Sequence, residues 1–158
     1  PPARMQAAPG FDEPLPHDLA HLLVEREFGL RLGIFGQLAA GGDAGTFWCA
    51  PADRTARLAQ RAHRLLVTGR GDLSRSERLT AACVGAWEIE SGRRSAADPW
   101  PVRALHDAAA ASPAQIAHVV GVLEAAAIGW GALGAGGFVT FSWPDALTLG
   151  RAARLRSA

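Results

Sequence analysis

The sequence contains no lysine, no asparagine and no tyrosine, so all 16 of its basic residues are arginines. Against 15 acidic residues, the formal net charge is only +1. A balance this even lacks the strong positive field with which many proteins attract nucleic acids or anionic membranes. We therefore expect neither a nucleic acid nor a membrane among the partners of this protein.

Cysteine is scarce as well. The chain has two cysteines, Cys49 and Cys83, and no CxxC spacing. This usage is typical of proteins from a reducing compartment. No basic segment followed by an apolar core precedes the first predicted helix, so no secretory signal is recognised. On these grounds we expect a cytoplasmic protein.

The length of 158 residues suits one domain with a hydrophobic core of its own. Apolar residues recur at helical spacing through most of the chain. We expect a single, mainly α domain over 1–158, with an arm or linker at 1–11 and a loosely ordered tail at 145–158. Six helices are predicted, at 16–28, 30–40, 51–68, 74–91, 102–111 and from 112 to an end near 129–134.

Local signals mark several of the predicted helix ends. Gly29 is expected to end the first helix. Ser74 with Glu77, and Ser112 with Gln115, form capping-box patterns that open helices, and 68–74 is predicted to be a turn. The apolar stretch 119–137 contains Glu124 and several glycines, so we interpret it as a buried helix of a soluble protein and not as a membrane span.

A small β element is expected near the C-terminus. The segment 138–143, FVTFSW, is the one stretch in which apolar residues alternate as in a strand. A strand needs a neighbour that pairs with its amide groups. A homo-oligomer formed through this strand edge is therefore among our expectations.

The densest group of potential ligands lies at 14–28, PLPHDLAHLLVEREF. His17, His21 and Glu25 follow one another at four-residue spacing, which places them along one face of a helix over roughly 12 Å. Two histidines one turn apart can share a divalent metal ion, and zinc is the preferred candidate. Glu25 is a candidate third ligand. Other candidates for that third position are Glu27, Asp43, His63, His106, Asp107 and Glu124.

Asp18 completes the pattern His-Asp-x-x-His. The pattern is close to His-Glu-x-x-His, in which the carboxylate orients a zinc-bound water or takes its proton. We expect Asp18 to act as the catalytic base or to fix the tautomer of a histidine. The alternative is structural: His17 and His21 pack or form hydrogen bonds, while Asp18 complements the helix dipole.

These observations predict a small helical metal-binding protein. Its activity would use a metal-activated water or a polarised substrate oxygen on an apolar small molecule. The alternative function is a non-enzymatic helical module that binds another protein and whose histidines are structural. Whether the protein is an enzyme, and whether its partner is a small molecule or a protein, both stay open from the sequence.

Two resemblances add to this interpretation. The sequence resembles a group of small actinobacterial proteins with an LPHDxxHxxVE helix and a later W-x-x-L-x-x-G-G motif. The matching residues are Leu15-Pro16-His17-Asp18, His21, Val24-Glu25, Trp130, Leu133, Gly136-Gly137 and Trp143-Pro144. This resemblance covers nearly the whole chain, implies a leading strand segment and brings no established activity.

Over some twenty residues, the HDxxH segment is also similar to the zinc-containing ubiquinone-biosynthesis family. That similarity implies His17, Asp18 and His21 as metal-site residues. This sequence departs from the family at the distal carboxylate, because Gly33 occupies the equivalent place. The similarity therefore extends to the ligand pair and not to the ring-modifying activity.

Overall fold

The structure is a computed structural model that describes residues 14–44, 55–97, 99–108, 111–133 and 140–149. Within them the chain is mainly helical, which confirms the predicted fold class at that level. A short 3-10 helix at Asp145–Leu147 lies after the last α-helix. The α-helices are α1 His17–Phe28, α2 Ile34–Ala39, α3 Ala56–Thr68, α4 Arg70–Glu90, α5 Pro99–Asp107 and α6 Pro113–Gly131.

Helix α4 is the centre of the fold. It packs against α1, α5 and α6, and α1 also contacts α2 and α6. Burial of aliphatic side chains along these contacts removes apolar surface from water and is the main driving force for the assembly. The large buried core residues include Leu19, Leu23, Val24, Leu79, Trp87, Ile116, Val119 and Leu123.

Two predicted helix ends are confirmed by their hydrogen bonds. Gly29 has a φ of 66° at the end of α1, and the amides of Gly29 and Leu30 close the last turn as in a Schellman motif. At α6, the Ser112 hydroxyl accepts from the Gln115 amide, and the Gln115 side chain accepts from the Ser112 amide. This is the predicted capping box.

The predicted turn at 68–74 is wrong. Only Gly69 separates α3 from α4, and Ser74 lies inside α4, so it does not open that helix. The first turn of α4 is tied to the loop between α1 and α2, because Asp72 Oδ2 accepts from the Leu32 amide at 2.9 Å. A side chain at position 69 would overlap Gln37 and the Leu32 carbonyl, which explains the glycine there. Both contacts come from residues distant in sequence.

The predicted strand at 138–143 is not observed. Residues 140–143 form neither helix nor strand, and 138 and 139 lie outside the described residues. In the part of the chain that the structure describes, no strand is present that could pair with this segment. The oligomer expected through its edge stays a prediction.

The predicted terminal segments are only partly described. The arm at 1–11 lies outside the described residues, as does 150–158. The first part of the predicted tail is in contact with the domain, because the Leu147 carbonyl accepts from Arg31 Nε at 3.5 Å. Residues 145–147 are therefore docked near the loop between α1 and α2.

Helix α6 combines a buried and an uncovered side. Among the helices described, it is long and apolar enough to cross a membrane, by length and composition only. Core helices of soluble proteins pass the same test. In this fold 28% of the apolar stretch of α6 is buried, through residues such as Val119 and Leu123.

Candidate functional site

The candidate site lies where α1, the start of α2 and the second turn of α4 meet. His21 and Glu25 are on the buried face of α1, and His17 is exposed at its N-terminus. The four-residue spacing does place these three residues along one helix. Their surroundings differ, however, and the differences assign them different roles.

Glu25 is a fully buried carboxylate that caps α2. Its Oε1 accepts from the Ile34 amide at 2.7 Å, and its Oε2 accepts from the Phe35 amide at 2.9 Å. No side chain at the N-cap of α2 supplies this cap. Burial raises the pKa of the Glu25 carboxyl, whereas hydrogen bonds from Ser76 and from the α2 amides act in the lowering direction.

Gly33 makes this cap sterically feasible. A side chain at position 33 would overlap the Glu25 carboxyl group. Gly33 is thus the residue that lets α2 approach Glu25. Because both of its oxygens accept from backbone amides, Glu25 has a structural role here.

Ser76 connects Glu25 to His21. The Ser76 hydroxyl donates to Glu25 Oε1 at 2.7 Å, and Ser76 Oγ lies 3.0 Å from His21 Nδ1. Since the hydroxyl carries one hydrogen and gives it to Glu25, the Ser76 oxygen accepts the Nδ1–H of His21. Thr80 Oγ1 is a second neighbour of Nδ1, at 3.3 Å. Neutral His21 therefore carries its hydrogen on Nδ1 and a lone pair on Nε2.

His21 is neutral at pH 7. Burial, followed by the nearby His17, lowers the pKa of His21 from its ordinary value to about 4. The two imidazole rings lie edge to face with centroids 4.6 Å apart. Position and protonation state thus both suit Nε2 of His21 to act as an electron-pair donor.

Glu77 is the carboxylate nearest to that lone pair among the contacts of His21. Its Oε2 lies 3.8 Å from His21 Nε2, and its side chain is 66% exposed. At neutral pH this contact is not an ion pair, because His21 is uncharged. The lone pair of Nε2 and the charged Glu77 oxygen are two acceptors without a hydrogen between them.

The predicted ligands are placed as follows. His17 and His21 lie together, and Asp18 is half-exposed in the first turn of α1, where its charge complements the helix dipole. Of the alternative third ligands, Glu27 contacts His118 at 3.1 Å, and Glu124 accepts from the Trp87 indole at 2.6 Å. Across the described ranges, no three His, Cys, Asp or Glu side chains are arranged to hold a metal ion.

Serine, histidine and glutamate also form the catalytic triads of hydrolases, but the order here is different. In a triad the serine hydroxyl gives its proton to the histidine, and the acid holds the other ring nitrogen. Here the Ser76 hydroxyl donates to Glu25 instead, and Ser76 is fully buried. Ser76 is therefore not placed to attack a substrate.

The sequence-based prediction of the site did not include Ser76, Thr80 or Glu77. A signal for the first two exists: Ser76 and Thr80 lie on the same face of α4 as Leu79 and Cys83, at positions that apolar residues would normally fill. A buried polar side chain requires a partner. Its identity depends on which helix packs against α4.

No protein-family model, curated protein or solved structure matches this chain. The function is therefore argued from the geometry of the site. The arrangement that any proposed function has to explain is the chain of contacts from Glu25 through Ser76 to His21.

Proposed function

We propose that this protein binds a divalent metal ion, preferably zinc, through Nε2 of His21 together with His17. The observation that carries the proposal is the hydrogen-bond chain from His21 through Ser76 to Glu25. A metal-binding histidine almost always donates its other ring N–H to an oxygen acceptor, which orients the ring and fixes the tautomer. Ser76 and Glu25 supply that support to Nδ1 and leave Nε2 free to bind the metal.

The protonation state of His21 supports the same function. A metal competes with a proton for the imidazole lone pair. Because the pKa of His21 is lowered to about 4, no proton has to be displaced at neutral pH. The exposed His17 ring beside it offers a second nitrogen ligand from the preceding turn of α1.

An enzymatic role would be a further step that depends on the metal. A metal-bound water would be the nucleophile, and Asp18 would be its base or would position it. The substrate proposed from the sequence, an apolar small molecule, enters only at that stage. Metal binding is therefore the property to test first.

The test is elemental analysis by mass spectrometry of tag-free protein after exposure to zinc and gel filtration. We expect about one zinc ion per chain in the wild type and none in a His17→Ala/His21→Ala variant. The matched control is His63→Ala/His118→Ala, which removes two exposed histidines from α3 and α6 and should retain the metal. A zinc-free wild-type protein after this treatment would refute the proposal.

Because His21 is buried, the double variant has to be shown to be folded. Far-UV circular dichroism and gel filtration provide that check. The single variant His17→Ala changes an exposed residue and leaves the core intact. It should bind zinc with lower affinity while unfolding at the same temperature as the wild type.

A second candidate function is favoured by the uncovered side of α6. According to this second candidate, the protein is a helical interaction module and its histidines are structural. Ala117, Gly121, Ala125 and Gly129 follow each other at four-residue spacing on the exposed side of α6, beside Ile128, which is 65% exposed. Small residues at this spacing let two helices approach closely. The strip carries no charge that would repel an identical strip, and we commit to a second copy of this chain as the partner.

Sedimentation velocity tests this second function. A dimer that dissociates in Ile128→Glu, but not in Val102→Glu, would support it. Val102 is a matched control, because it is 62% exposed on α5. A wild-type protein that is monomeric at all concentrations would exclude this dimer.

A further inference from the structure

We infer that Glu77 is the third protein ligand of the metal and that the site has the composition His17, His21 and Glu77. This inference rests on the metal-binding function proposed above and adds to it a residue from a second helix. Two imidazoles and a carboxylate are the protein ligands of one type of catalytic zinc site, in which the fourth position is open to water. The expected ligand is therefore zinc with one exchangeable coordination position.

The distance between His21 and Glu77 is close to that of two ligands of one ion. Nitrogen and carboxylate oxygen ligands each lie about 2.0–2.2 Å from zinc, so two of them at a tetrahedral angle are roughly 3.3–3.6 Å apart. The separation between His21 Nε2 and Glu77 Oε2 is 3.8 Å, which a small movement of the exposed Glu77 side chain would shorten to that range. It is longer than the ~2.7–3.2 Å of a hydrogen bond involving N–H and oxygen.

The lone pair of His21 Nε2 and the negative charge of Glu77 are together complementary to a cation. Nε2 of neutral His21 presents a lone pair, because its hydrogen is on Nδ1 and is held by Ser76. Glu77 Oε2 presents a second electron pair and a negative charge. Two acceptors at this distance repel each other weakly, whereas a metal ion between them would turn the same geometry into attraction.

The three proposed ligands differ in burial, so one side chain is held in place and two can change conformation. His21 is held by Ser76 and by the core, while His17 and Glu77 are exposed. In the described structure the three do not yet form a ligating group. Completing it requires the two exposed side chains to turn towards Nε2 of His21 and to give up rotamer freedom.

The position of Glu77 in α4 makes the inference specific. It follows Ser76 directly, and the two residues contact opposite nitrogens of the His21 ring. The helix that fixes the tautomer therefore also supplies the carboxylate on the metal side.

The experiment measures the zinc affinity of the full chain at pH 7 by competition with a chromophoric chelator. We compare the wild type, Glu77→Gln, Glu77→His and Glu90→Gln. Glu90 is the matched control, an exposed glutamate at the other end of α4. Loss of an outer-shell partner typically weakens metal binding ~10–100-fold, so loss of a direct ligand in Glu77→Gln should weaken it by roughly 100-fold or more.

Glu77→His separates ligation from simple electrostatic attraction. This variant removes the negative charge but keeps a ligand atom, so it should recover most of the affinity lost in Glu77→Gln. Equal losses in both Glu77 variants would show that Glu77 acts only through its charge, and would overturn the inference. All variants are to be compared for melting temperature, which substitution of this exposed side chain should leave unchanged.

The remaining outcomes distinguish the two levels of the proposal. If Glu77→Gln binds zinc as tightly as the wild type, while the double histidine variant binds none, the role of Glu77 is refuted and the proposed function stands. If the wild type binds no zinc, both are refuted. If only Glu77→Gln is weakened and Glu90→Gln is not, the inference is supported.

Discussion

Ser76 and Glu77, consecutive residues of α4, contact the two opposite nitrogens of the His21 ring. Ser76 Oγ lies 3.0 Å from Nδ1, and Glu77 Oε2 lies 3.8 Å from Nε2. One helix thus fixes the tautomer of the histidine and sets the charge next to its lone pair. The buried end of this arrangement is Glu25, which also holds the start of α2, so the site and the α1–α2 hairpin share one carboxylate.

Removing the buried carboxylate should destabilise the protein strongly. Glu25→Ala leaves the Ser76 hydroxyl and the part-buried amides of Ile34 and Phe35 without their acceptor. We expect a loss of at least about 3 kcal/mol in the free energy of unfolding, since each of the three unsatisfied donors costs ~1–3 kcal/mol. Urea denaturation measures this. The control Glu27→Ala removes a partly exposed pair with His118 and Arg26 and should cost less than about 1 kcal/mol.

Two glycine-to-alanine substitutions should have opposite effects. Gly33→Ala places a methyl group on the Glu25 carboxyl and should cost roughly 1–3 kcal/mol, as overpacking does in other cores. Gly121→Ala points into open space in the middle of α6 and should stabilise the protein by about 1 kcal/mol through helix propensity. Thermal unfolding of both variants is the measurement. A Gly33→Ala protein as stable as the wild type would contradict the close approach of α2 to Glu25.

Loss of the Ser76 hydroxyl should change the tautomer of His21. In Ser76→Ala the Nδ1–H loses its nearest acceptor, and Glu25 loses a donor. We expect the nitrogen NMR shifts of His21 to move away from a pure Nδ1–H form, and the zinc affinity to fall ~10–100-fold. Ser74→Ala is the control, because Ser74 is exposed two residues earlier and contacts only Arg78 among the hydrogen bonds described. Unchanged His21 shifts in Ser76→Ala would refute the hydrogen-bond chain.

The stability of the metal-free protein should depend on pH through His21. Its pKa is about 4 when folded and near 6.5 when unfolded. Between these values the unfolded chain binds a proton that the folded protein does not. The contribution of His21 to the free energy of unfolding is therefore fully present above pH 6.5 and is lost as the pH drops towards 4. Because one pKa unit corresponds to ~1.4 kcal/mol, His21 lowers the free energy of unfolding by roughly 3 kcal/mol over this range.

Glu25 contributes a trend of opposite sign, so the effect of His21 has to be isolated by comparison. The pKa of Glu25 is raised on folding, which means that its contribution is greatest below the ordinary carboxyl pKa and is lost as the pH rises. Urea unfolding in EDTA at pH 7, 5.5 and 4 should show a smaller loss in His21→Gln than in the wild type. His118→Gln, altered at an exposed histidine, should follow the wild type. Parallel curves for His21→Gln and wild type would contradict the lowered pKa.

Local chemistry was sufficient to predict much of the helical framework. The left-handed Gly29 ends α1 and the Ser112–Gln115 capping box opens α6, and both follow from interactions within a few residues. The closeness of His17 and His21 also follows from helical periodicity. The start of α4 was mispredicted, and the first turn that was missed contains Asp72, which accepts from the amide of Leu32, 40 residues away in sequence.

By itself, then, the sequence determined that the chain is mainly helical and that two histidines lie one turn apart on α1. Only the tertiary structure decided what surrounds them. Glu25 has the spacing of a ligand and serves as a helix cap, whereas Ser76, 55 positions after His21, fixes the tautomer of that ring. The physical reason is that a buried polar group takes its hydrogen-bond partner from whichever element packs against it, and that choice is made by the packing of α4 on α1.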